Sequence, residues 1–340
     1  MAQLHEAIYT APTPVLHVVD VAPLFPGDEQ QPGVYFCVEV PQNTGAHMLA
    51  TPPVIVYESR DSGTTWDQVA VIQQMVETGT LGLVELETPP AFAYIRTLDA
   101  SLPYGWDEGS EMRVSFNKSY APATATEDQV LDGANRLLVG SEVLQFKTAA
   151  VADADTNDYL LTSLLRGRRG TETVVSGLAQ TDRVFVIDQN TFHFHALDPS
   201  DIGNALQFKA VTPGMDLSSV DAVTHTVQAL NVSPFAPANV SGTRDGSNNL
   251  TITWDRRTRA PVRLLGPQGR PYFEDTDNYE VDIYDGTPAV VRTIEVTTTS
   301  ASYTAAQQTA DGLTPGNPVS LRVYQMSRMC DRGRAAIETV

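Results

Sequence analysis

The 340-residue chain is poor in cysteine, in cationic residues and in long apolar runs. Its two cysteines, Cys37 and Cys330, lie near opposite ends. That excludes a disulfide-stapled scaffold and predicts two free thiols. Lysine and arginine total 22 against 41 aspartates and glutamates, for a net charge of −19. A surface so acidic repels phosphate backbones, so nucleic acid is not an expected partner. No stretch approaches the roughly 20 apolar residues of a membrane helix, so no insertion into a membrane is expected. The start, Met1-Ala2-Gln3-Leu4-His5-Glu6, lacks the basic segment and apolar run of a signal peptide, which predicts maturation in a cytoplasm. Catalytic signatures are missing as well: there is no G-x-S-x-G, H-E-x-x-H or C-x-x-C. The expectation is therefore a protein without enzymatic activity and without a cofactor.

What the chain does have is hydrophobic content of 42%, with 23 glycines and 22 prolines spread along its length. The first figure is that of a folded protein, and the breakers leave little room for long helices. The pattern predicts a mostly β, multidomain chain of antiparallel sandwich or barrel domains. Val34, Phe36, Val38 and Val40 alternate with other residues and predict a strand buried on one face. Asn135–Gly140 and Glu142–Phe146 read as a hairpin turning at Gly140-Ser141. Ala121-Pro122-Ala123-Thr124-Ala125-Thr126 reads as a linker, and so does Asn231–Pro237 with its two prolines. These place domains at 1–120, 121–232 and 233–340. Charge divides the same way: residues 1–118 carry 4 basic and 15 acidic groups, 119–232 carry 7 and 14, and 233–340 carry 11 and 12. In the last region Leu250, Ile252 and Trp254 alternate inward, and Tyr279, Val281 and Ile283 do likewise. A buried tryptophan on an early strand without a cysteine pair predicts a fibronectin type III-like sandwich.

Several motifs need weighing. Ser59-Arg60-Asp61-Ser62-Gly63-Thr64-Thr65-Trp66 fits the Asp-box pattern S-x-D-x-G-x-x-W. A sialidase-like propeller repeats such a unit in every blade, and here it occurs once, so it reads as a structural turn. His193 and His195 share one face of a short strand and are weak metal candidates, since two histidines do not make a site. Trimeric phage spike tips that resemble this arrangement hold iron on their axis. Arg166, Arg168 and Arg169 crowd a glycine-rich loop of an acidic region, and Arg256, Arg257 and Arg259 form a second basic cluster. Arginine forks bind anions, but the first loop lacks the Lys-Ser/Thr ending of a phosphate loop. Pairing with local acids such as Glu172 and Asp182, or contact with a partner subunit, is the expected use of the first cluster; a solvated loop or an interface rim is that of the second. Tyr104 and Trp106 are the candidates for stacking on a glycan.

The run Leu164-Leu165-Arg166-Gly167-Arg168-Arg169-Gly170-Thr171-Glu172, with Val143–Ala150 before it, resembles the C-terminal half of the large baseplate protein of gene transfer agents and related siphophages. Trp254–Arg259, Tyr279–Gly286 and Gly333-Arg334-Ala335-Ala336 are similar too. The resemblance covers the chain from about residue 120 onward. It implies a trimeric virion protein of the tail tip, associated with hub and baseplate proteins and contacting a glycan or outer-membrane protein of the host surface. The family's long N-terminal hub portion has no counterpart here, which predicts a place distal to a separate hub. A carbohydrate-binding adhesin is the alternative, and a glycosidase the third reading.

Overall fold

Strands dominate because the apolar residues recur with period two between frequent turn residues. The computed structural model describes residues 13–39, 53–76, 78–81, 105–117, 120–172, 183–259, 277–286 and 288–340. In chain order the elements are β1 (Val15–Val19), β2 (Gly33–Glu39), β3 (Val54–Ser59), β4 (Asp67–Ile72), β5 (Thr78–Leu81) and β6 (Trp106–Phe116). Next come α1 (Glu127–Leu131), β7 (Arg136–Val139), β8 (Glu142–Asp153), β9 (Asp158–Arg168), β10 (Arg183–Val186), β11 (His193–Ala196), β12 (Ala205–Val211) and β13 (Val223–Thr226). The remainder are β14 (Ala238–Arg244), β15 (Leu250–Asp255), β16 (Tyr279–Tyr284), β17 (Val290–Val296), β18 (Ser300–Tyr303), α2 (Ala305–Ala310), β19 (Ser320–Ser327) and β20 (Asp331–Thr339).

Two compact units share these elements. The first takes Met1–Asp20, Gly33–Leu197 and Gly203–Gln228; the second takes Val21–Pro32, Asp198–Ile202 and Ala229–Val340. The boundary expected at 120/121 is therefore corrected. In the first unit β5 and β6, from before that point, close a six-stranded barrel with β7, β8, β9 and β10 from after it, in the order β10-β5-β6-β9-β8-β7. The small-residue segment 121–126 is not a free linker. Ala125 donates its amide to Lys147 O (2.8 Å), and Thr126 caps α1 with a full capping box. The barrel core is Met112, Val114, Phe116, Leu137, Val139, Leu144, Phe146, Leu161, Leu164 and Val184. The hairpin expected at Gly140-Ser141 is present, with Gly140 at φ +56°.

Two further sheets of the first unit, β1-β2-β11 and β13-β12-β3-β4, meet through Phe36 and Phe208, whose rings lie 5.1 Å apart. β2 was expected to bury one face and buries both. Phe36 faces Phe208, while Tyr35 on the other side packs on Phe192 (6.5 Å) and Phe194 (5.4 Å). A central strand covered twice has no use for a polar face.

The second unit is a sandwich of β14-β15-β18 on β17-β16-β19-β20. The strand after β16 joins the four-stranded sheet rather than the β14-β15-β18 sheet, which distinguishes a fibronectin type III-like order from the immunoglobulin constant type. Trp254 lies inward as predicted and meets Tyr279 edge-on at 5.3 Å. Segment 229–236 is packed within this unit: Asn231 and Val232 are fully buried, and Asn231 Nδ2 donates to Asp28 O (2.6 Å) and Gln31 O (2.8 Å).

Candidate functional site

The arginine-rich loop follows from the end of β9, and its chemistry is directed inward. Arg166 is 1% exposed and Glu142, at the start of β8, is fully buried. Arg166 Nε and Nη2 donate to the two Glu142 oxygens at 2.7 and 2.6 Å, a bidentate pair, and the Gly167 amide adds a third bond at 2.8 Å. Asp107 Oδ2 stands 4.0 Å from Arg166 Nη1. Gly167, Arg169 and Gly170 all take positive φ (+57°, +57° and +74°), which reverses the chain within a few residues. Thr171 then fixes the reversal, accepting from Val143 N (3.0 Å) and donating to Arg168 O (2.7 Å). Arg168 Nε donates to Gln145 Oε1 (3.2 Å), while Gln145 Nε2 donates to Val130 O and Ala134 O behind α1. The expectation that Arg166 contacts a partner is thereby corrected: a buried guanidinium needs a carboxylate inside the fold, and Glu142 supplies it. Arg168 and Arg169 remain half-exposed.

The second basic cluster divides in the same manner. Arg259 is 4% exposed, and its Nη1 donates to Glu29 O (2.6 Å) and Asn231 O (3.2 Å). It stitches backbone carbonyls within the second unit and is not an exposed contact, which corrects the sequence expectation. Arg257 stacks over Phe235 (5.1 Å) and reaches Ala236 O (3.4 Å). Arg256 lies 3.7 Å from Asp277 and is partly exposed.

His193 and His195 do not converge on a metal centre. His195 Nε2 lies 2.5 Å from Glu58 Oε2, and its ring stacks on Phe36 at 5.0 Å. Burial pushes the Glu58 carboxyl up, but the bond and charge of His195 and the neighbouring Arg60 outweigh it and bring the group below its ordinary value. Burial lowers His193. Among the described residues no group of three or more His, Cys, Asp or Glu could hold a metal ion. Both cysteines are free thiols, and burial pushes that of Cys37 far up.

The Asp-box forms the β3–β4 turn. Asp61 Oδ1 accepts from the amides of Thr64 (3.1 Å) and Thr65 (2.8 Å) and from Ser59 Oγ (2.8 Å), and Trp66 Nε1 donates to Gly63 O (3.1 Å). These bonds, first the one from the Thr65 amide, hold the Asp61 carboxyl down to about 2. Both Asp61 carboxylate oxygens accept bonds from within the turn, as a structural turn motif does. Of the glycan candidates, Tyr104 lies outside the described residues. Trp106 opens β6 half-buried, with Lys147 Nζ over its ring at 5.7 Å.

Sequence reasoning missed Glu142, Glu58 and Gln145. Each stands on a strand whose pattern calls only for a polar position, and the arginine or histidine that it meets (Arg166, His195 and Arg168 in turn) lies 23 or more residues away in the chain.

Residues 94–186 match the family described as "Rcc01698-like, C-terminal", which is associated with gene transfer agents. The match contains the barrel strands β6 to β10. No curated protein matches the chain. Among solved structures, a segment of two fibronectin type III domains from chicken tenascin is 9% identical, covering 96% of this chain and 98% of that one, with a TM-score of 0.27. The FN1–FN3 domains of chicken CNTN1 are also 9% identical, with coverage of 97% and 98% and a TM-score of 0.24. The FN5 domain of Drosophila Lar is 17% identical over 32% of this chain and 94% of that one, with a TM-score of 0.20. The chain joins a region similar to the Rcc01698-like C-terminal family to a sandwich whose strand order is fibronectin type III-like.

Proposed function

We propose that this chain is a structural, non-enzymatic component of a phage-like tail tip or baseplate, placed distal to the hub and contributing to fibre assembly and host-surface attachment as a homotrimer. The observation that carries the reading is the match of residues 94–186 to a family associated with gene transfer agents. That match includes the Arg166–Glu142 pair and the Thr171 reversal, so the distinctive part of the sequence is the part that ties β9 and the turn after it to β8. Of the two arginine clusters, Arg168, Arg169, Arg256 and Arg257 are half-exposed, and contacts with hub proteins are proposed at these positions. The test is to purify particles from a producing culture and locate an epitope-tagged copy by immunogold electron microscopy. Label at one tail end is expected; protein confined to the lysate and absent from particles overturns the reading.

The alternative, a glycan-binding adhesin, draws on the partial exposure of Trp106. Lys147 already stands over that ring. A glycan array with wild type and Trp106→Ala separates the two: sugar-specific binding lost in the variant favours the adhesin.

A further inference from the structure

The sheet β17-β16-β19-β20 buries Val281, Ile283, Leu321 and Val323, so the residues alternating with them face away from the sandwich core. Arg322 stands at the middle of that outer face. Across the strands it lies between Asp282 and Ile337, with Ser320 and Tyr324 on either side along β19 and Tyr284 opposite Ser320. The neighbouring carboxylates are engaged elsewhere. Arg332 donates to Glu280 (2.6 Å) and to both oxygens of Asp282 (2.7 and 3.2 Å), and Thr293 Oγ1 adds a bond to Asp282 (2.6 Å). Arg322 has different company. Its Cζ stands 5.0 Å from the centre of the Tyr284 ring, and the Tyr324 hydroxyl is its hydrogen-bond partner. Asp282 attracts it from the adjacent strand, yet among the described residues Arg322 forms no ion pair. The side chain is exposed, and Ile337 beside it is 66% exposed. The Ser320 and Thr339 hydroxyls, 3.3 Å apart, complete the surface on the Tyr284 side.

We infer that this face binds a carboxylated sugar, a terminal uronic or sialic acid residue, with Arg322 as the group that holds its carboxylate. Stacking on Tyr284 positions the guanidinium, so its N–H fork meets a carboxylate with little further ordering. The hydroxyls of Tyr284, Ser320 and Thr339 can both donate to and accept from sugar hydroxyls. Ile337 offers apolar surface to the C–H side of a sugar ring. Size favours a sugar over a protein. Three strands with three outward residues each span about 10 by 14 Å. That is the footprint of one or two sugar rings, and far less than the roughly 800 Å² per partner of an ordinary protein interface. Charge narrows the ligand further: 41 acidic against 22 basic residues repel a polyanion, which leaves a single carboxylate on an otherwise neutral glycan. The site belongs to the second unit and Trp106 to the first, so the two are separate. The inference gives the host-surface contact proposed above a ligand class and rests on that reading for its biological setting.

Matched sugars test this on the full chain: sialyllactose against lactose, and glucuronide-terminated against glucoside-terminated glycans, first on an array and then by titration. Wild type is expected to bind the carboxylated member of a pair about tenfold or more tightly than its neutral match. Arg322→Gln is expected to remove that preference. Arg322→Lys is expected to keep part of it, because the charge remains and the fork is lost. Trp106→Ala is expected to leave it unchanged. Arg322 is exposed, so its variants keep the fold, checked by unchanged melting. No binding of any carboxylated sugar, or equal binding by wild type and Arg322→Gln, overturns the inference. Capture of glutamate-rich peptides in place of the sugars overturns it too. Gold label at a tail end together with no sugar binding marks a failure of this inference alone; sugar binding by a protein absent from particles marks a failure of the tail-tip reading.

Discussion

Arginine is scarce in the acidic part of this chain, and one of its arginines, Arg166, is used entirely against the interior. Arg166 is fully enclosed with Glu142, so removing one partner strands the other charge. Glu142→Ala is expected to cost about 3–5 kcal/mol, read as a fall in the urea midpoint of the first unit. Arg169→Ala, on a half-exposed side chain, is expected to cost far less. Asp61 gives a pH-dependent prediction. Its carboxyl is held at about 2 in the fold against an ordinary 3.8, so its contribution is fully present above 3.8 and is lost as pH falls toward 2. Asp61→Asn is expected to flatten that part of the stability-against-pH curve. An identical acid limb in wild type and variant would show that the turn does not depend on the ionised carboxylate.

At the scale of elements, turns and caps are where sequence and structure agree most closely. The Asp-box and the Gly140-Ser141 hairpin depend on neighbours within a few residues, so their chemistry is written locally; the Thr126 capping box is as local, but the sequence reading took Thr126 for the end of a linker. Thr126→Ala is expected to destabilise α1 and the barrel segment behind it by about 1 kcal/mol, checked by thermal melting. Gly63→Val is expected to be worse than its exposure suggests. The residue sits at φ +89°, and an added Cβ would lie 2.9 Å from Gln207 Oε1. Strand partners, by contrast, are not local. β5 pairs with β10 and β2 with β11, across more than a hundred residues in each case.

For the whole molecule the consequence is a chain whose units are not contiguous. The second unit recruits residues 21–32, where Glu29 O accepts from Arg259 and the Asp28 and Gln31 carbonyls accept from Asn231. A fragment beginning at Ala229 lacks all three acceptors while keeping buried donors. It is expected to melt well below the same sandwich in the full chain, and adding residues 21–32 as a peptide is expected to raise its midpoint. The linker expectation at 121–126 failed for a related reason: small residues and proline mark a chain without helix or strand, and such a chain can still be pinned to a neighbouring strand, as Ala125 is to Lys147. By itself the sequence determined the β character, the local turns and the inward alternation around Trp254, because each follows from side-chain period and short-range backbone geometry. Only the tertiary structure decided that Arg166 and Arg259 are internal, that β2 is covered on both faces, and that the barrel draws strands from both sides of residue 120. Those facts depend on which distant strand or carbonyl arrives opposite each residue, and no local pattern encodes that.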